Sequence, residues 1–100
     1  MSLSKPLDHL TTRRQTVTRM ENRQALLEIS EGIPVPEAIR YAGIFNDGAD
    51  QLLDIASQSP NQWDWALYNA SALLSQVALG LVRAAATAME AEAAPARVAR

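Results

Sequence analysis

The sequence contains no cysteine and a single histidine, His9, near its start. Without a thiol or a second imidazole it can build neither a disulfide framework nor a His/Cys metal cluster, and thiol chemistry is excluded. It has no glycine-rich phosphate loop and no nucleophile elbow. Asp47, Asp50 and Asp54 fall on one helical face, a spacing that any solvated helix shows and that does not by itself make an acid–base pair. These absences point to a protein that is not an enzyme and that uses no cofactor or metal. Aromatics are scarce, with one Phe, two Trp and two Tyr, so the core has to be aliphatic. No basic-then-apolar leader opens the sequence, because Lys5 is followed by polar residues, and the expected compartment is the cytoplasm.

The charge is unevenly spread. The net charge of −2 divides into +3 over residues 1–24 and −5 over residues 25–100. Lys5, Arg13, Arg14, Arg19 and Arg23 supply the basic end. Residues 1–24 are also poor in apolar side chains, and they are expected to form a flexible basic arm ahead of an acidic body. The body is expected over 25–93, with 94–100 as a C-terminal tail.

From Trp65 to Val82 the sequence runs eighteen residues without a charge. A helix of that length spans about 27 Å, close to a bilayer core. Asn69, Ser71, Ser75 and Gln76 interrupt it, and no basic cluster sits against one end, so no membrane span is expected. An uncharged helix outside a membrane is buried on more than one side. A short chain has little of itself with which to cover two faces, so a second molecule is expected to cover the rest.

The fold expected is mainly α: a short N-terminal β-strand followed by an antiparallel two-helix hairpin, dimerising. Ala25-Leu26-Leu27-Glu28-Ile29 reads as a strand that must pair with something, and in a symmetric dimer the natural mate is its own copy. Pro34-Val35-Pro36 sets up a first helix of about 20 residues, with Ala38, Ala42, Phe45, Ala49, Leu52 and Ala56 on one face. The second helix is expected from about Asn61 to Ala93, ending before Pro95. Its primary stripe, including Trp63, Leu74, Val77 and Leu81, packs on Ala42, Phe45, Ala49 and Leu52 to form the intramolecular core. Trp65, Tyr68, Ala72, Leu79 and Val82 form a second stripe roughly opposite, for which the chain has no obvious cover. Leu27, Ile29 and this second stripe are the expected dimer or partner interface. Trp65 and Tyr68 suit that role, since each has an apolar body and a polar tip. The competing reading of Trp65 is that the N-terminal arm covers it.

The segments Leu26-Leu27-Glu28-Ile29 and Gly32-Ile33-Pro34-Val35-Pro36-Glu37-Ala38-Ile39, followed by a helical body closing with Leu81-Val82-Arg83-Ala84, resemble a family of small bacterial helical-hairpin proteins. Most are catalogued only as a domain of unknown function. The resemblance covers residues 26–86 and is most specific at the Gly-x-Pro turn. Within that family, one functional assignment is a quorum-sensing antiactivator that binds LasR, a LuxR-type receptor for acyl-homoserine lactones. The resemblance therefore implies a protein-binding regulator that blocks dimerisation of such a receptor and with it DNA binding. No contact residue can be transferred from it. The alternative is a ribbon-helix-helix repressor whose basic arm, through Arg13, Arg14, Arg19 and Arg23, contacts phosphates. The acidic body, the long helices and Glu28 on the strand speak against that, so no nucleic-acid partner is expected.

Overall fold

A computed structural model describes residues 9–58 and 64–98. The chain forms β1 (Gln15–Arg19), β2 (Ala25–Ile29), α1 (Val35–Gln58) and α2 (Asp64–Val98). The mainly helical outline, with a helical hairpin behind a small β element, is the one the sequence predicts.

The β element differs from expectation. β2 pairs with β1 of the same chain in a two-stranded antiparallel sheet, Gln15 opposite Ile29 and Arg19 opposite Ala25. The N-terminal stretch read as a flexible arm thus supplies the strand's mate. Its Thr16-Val17-Thr18 core is β-branched and favours extended backbone, although it is too polar to register as an apolar run. The turn between the strands is closed by Met20 N–H to the Gln24 carbonyl at 2.8 Å. Asn22 accepts the Gln24 N–H at 3.0 Å, and Arg23 takes up the left-handed φ of 72°.

The preceding residues are also fixed. Thr12 is buried, and its hydroxyl donates to the Ser30 carbonyl at 2.7 Å while accepting the Ile33 N–H at 3.1 Å. Its backbone N–H donates to the Ile33 carbonyl at 2.7 Å and its carbonyl accepts from Gly32 at 2.9 Å. The Val35 N–H, unpaired within its own helix, donates to the Leu10 carbonyl at 2.9 Å. Residues 10–12 therefore clasp the chain where β2 gives way to α1. Gly32, at φ 91°, makes the bend that brings it there.

The two helices meet through alanine. Ala38, Ala42, Ala49 and Ala56 of α1 and Ala78, Ala84, Ala85 and Ala88 of α2 are buried, joined by Val35, Leu81 and Ile29. Small contact residues let helix axes approach closely. The buried Ser71 hydroxyl sits in this seam and donates to the Ala49 carbonyl at 2.7 Å. Ala42, Ala49 and Leu81 are thus buried as predicted, and Phe45, Leu52, Leu74 and Val77 are half-buried around them. Trp63, assigned to the same core, lies outside the described residues, as does the expected start of α2 near Asn61. α2 runs on to Val98, past the end predicted before Pro95. Pro95 lies in the last turn of α2, where its missing N–H leaves one carbonyl of the preceding turn without its helical donor and interrupts the helix at its end rather than in its middle.

The hairpin rests on α2 at Gly80. A Cβ there would meet Val17 Cγ2 at 2.8 Å and Ile29 Cγ1 at 3.3 Å. Val17 is stiff at χ1, so it cannot easily swing aside. Gly80→Val is expected to cost about 1–3 kcal/mol by overpacking. The check is a lower melting temperature, with hairpin amides losing exchange protection first; an unchanged value would mean that the hairpin is not seated on α2.

Candidate protein-binding surface

The distribution of large and small apolar residues is inverted. Among the described residues Val35 is the one large side chain that is fully buried, while Ile39, Tyr41, Ile44, Leu53, Ile55, Trp65, Tyr68, Leu73, Leu79 and Val82 are exposed. Alanines fill the seam, and the residues with most apolar area to bury face outward. Scattered exposed leucines are ordinary, but exposed apolar residues that share one face mark an interaction surface.

One such face combines both helices. A groove of about 370 Å³ runs between them, floored by Ala42, Gly43, Asn46, Ser75 and Ala78 and walled by Ile39, Leu79 and Val82. A Cβ on Gly43 would meet nothing within 4 Å, so the groove lies open above it. Leu79 and Val82 are each 47% exposed. Along α2 the same stripe continues through exposed Ala72 and Tyr68 to Trp65, which is 66% exposed. The described N-terminal residues therefore do not cover Trp65.

Five of the seven predicted interface residues thus share the outward stripe of α2: Trp65, Tyr68, Ala72, Leu79 and Val82. Leu27 is exposed on the hairpin. Ile29 is a correction. It is buried in the central cluster, because its position opposite Gln15 turns its side chain onto Gly80 rather than outward. Ile39 and Gly43 were missed. Both lie off the Ala38/Ala42/Ala49 stripe of α1, and the signal was there, since α1 places its isoleucines outside that stripe.

The groove's own polar residues are Asn46 and Ser75, both exposed, and charged groups lie elsewhere on the surface. Arg40 pairs with Glu37 at 3.3 Å and stacks over the Tyr41 ring at 4.6 Å. Tyr41 first and Glu37 second hold its guanidinium above its ordinary pKa. Arg14 lies 3.9 Å from Glu28 and 3.6 Å from Glu31, and Arg19 donates to the Arg23 carbonyl at 2.7 Å. Part of the basic charge of the N-terminal stretch is therefore answered within the fold. Asp47, Asp50 and Asp54 are exposed, and no group of three or more His, Cys, Asp or Glu placed to hold a metal occurs among the described residues. By length and composition alone, Trp65–Ala93 is long and apolar enough to cross a membrane, with 33% of its most apolar window buried in the fold.

No protein-family model, no curated protein and no solved structure matches this chain.

Proposed function

We propose that this chain is a protein-binding regulator acting in the cytoplasm by occlusion. It captures a LuxR-type quorum-sensing transcription factor and covers the surface through which that factor dimerises, so that DNA binding is lost. The observation that carries the protein-binding part is the open apolar face around Gly43, Leu79 and Val82, flanked by Trp65 and Tyr68. The choice of partner rests on the sequence resemblance to the antiactivator QslA, which makes LasR the partner to test first. Capture of a protomer needs a surface that mimics a self-complementary patch, apolar at its centre and polar at its rim. This face is apolar through Ile39, Ala42, Ala78, Leu79 and Val82, with Asn46 and Ser75 as its polar groups. No turnover is involved, and inhibition follows stoichiometry by mass action.

The alternative, a ribbon-helix-helix-like repressor, draws on exposed Arg13, Arg19 and Arg23. In that architecture the ribbon takes one strand from each of two chains. Here β2 is already paired with β1 of its own chain, which favours the protein-binding reading. A gel-shift separates them. The regulator's shift of its DNA site should disappear as this protein is titrated to a small excess, and this protein alone should shift nothing. A shift by this protein alone, collapsing on the order of 10³-fold between 50 and 200 mM salt, would favour the repressor.

A further inference from the structure

α1 has a second apolar flank that faces away from the groove at Gly43. Tyr41, Ile44, Gly48, Leu52 and Ile55 recur at steps of three and four and lie together on this side of the helix. Ile44 is 50% and Ile55 53% exposed, while Gly48 and Leu52 are half-buried. Beside Tyr41 the flank opens into a cavity of about 370 Å³ lined by Ile33, Phe45 and Val77. α2 borders the stripe through Leu74, whose Cδ1 lies 3.5 Å from the place of a Cβ on Gly48, while Tyr41, Ile44 and Ile55 stay exposed among the described residues.

We infer that this flank is where a second copy of the chain docks, α1 against α1 in antiparallel orientation, crossing at Gly48. The spacing is self-complementary about that point. Tyr41 then faces Ile55 of the second copy, and Ile44 faces its Leu52. Ile55 arrives at the mouth of the cavity beside Tyr41, and Gly48 at the centre permits the closest approach. Charge fixes the direction. The first half of α1 is neutral, with Arg40 paired to Glu37 at 3.3 Å, whereas Asp47, Asp50 and Asp54 occupy the second. A parallel pair would set the acidic halves side by side. An antiparallel pair brings Arg40 within a turn of Asp54 of the second copy, on the same edge of the seam.

Docking here leaves the Leu79/Val82 face open, so the dimer presents two copies of it, pointing away from the seam. The inference does not depend on what binds that face.

The test is sedimentation equilibrium of the full chain at micromolar concentration, beside three variants. The wild type should run as a dimer. Ile44→Glu should run at 10.9 kDa with its helical circular dichroism kept, its self-dissociation constant raised about 100-fold or more by a charge in the seam. Leu79→Glu should remain dimeric whether or not it still binds a regulator, which separates this surface from the other. Gly48→Cys places the sole thiol of the chain near the two-fold axis. It fits the fold, since its Cβ would meet Leu74 Cδ1 at an ordinary 3.5 Å. It should oxidise in air to a cross-linked dimer, and this readout decides if Ile44→Glu loses its helical signal. A wild type at monomer mass, a dimer that survives Ile44→Glu or is dissociated by Leu79→Glu instead, or a Gly48→Cys chain that fails to cross-link would overturn the inference.

Discussion

Deleting residues 1–19 is expected to lower the melting temperature by roughly 15 °C or more, about 4 kcal/mol for a domain of this size. The deletion removes β1 and leaves the β2 ladder without its mate. It strips Thr12 from Ser30 and Ile33, and each buried hydrogen bond of that kind contributes about 1 kcal/mol. It also withdraws Leu10 and Val17 from the central cluster, exposing Ile29 above Gly80. Losses of this size are a large share of a total that runs to roughly 5–15 kcal/mol. Composition alone argues the opposite, that a polar, Arg-rich stretch can be cut away at little cost. A truncated chain melting within a few degrees of the full one would restore that view and remove the hairpin from the folded unit.

The second large effect belongs to the groove. Leu79→Glu is expected to weaken regulator capture by about 100-fold or more, since the occluded complex would bury a carboxylate with no partner. Leu79 is exposed in the free chain, so the substituted side chain stays in water there and the fold survives. Thermal melting should therefore change little while binding is lost, a separation that a core substitution does not give. Trp65→Ala, at the far end of the same stripe, is expected to cost less if it sits at the rim and more if it anchors the complex. Full capture by Leu79→Glu would place the binding surface elsewhere.

The helices were legible because their apolar residues repeat at steps of three and four and because Pro34-Val35-Pro36 marks a start. The outward stripe of α2 was legible for the same reason, since Trp65, Tyr68, Ala72, Leu79 and Val82 fall together on a helical wheel. Other features were hidden by what periodicity measures. Thr16-Val17-Thr18 is held by backbone pairing and by one methyl-bearing side chain against Gly80, so its strand leaves almost no hydrophobic signal. Ile29 belongs to an apolar run that gives no facing direction until its strand has a mate. The α1 stripe was read through its alanines correctly, but periodicity does not say that the alanines go inside and the isoleucines outside. That choice follows from close helix packing at Ala42, Ala49, Ala78 and Ala85, which only the assembled pair reveals. It is also why Ile39 and Gly43 were absent from the expected surface.

Multi-angle light scattering on the regulator's ligand-binding domain, mixed with increasing amounts of this chain, tests the central claim most directly. Occlusion predicts that the regulator's dimer peak disappears as the ratio passes equivalence. A mixed complex in which each regulator protomer sits on its own copy of the Leu79/Val82 face should replace it, and Leu79→Glu should leave the dimer peak untouched. A regulator dimer that persists at several-fold excess of the wild-type chain would contradict the account.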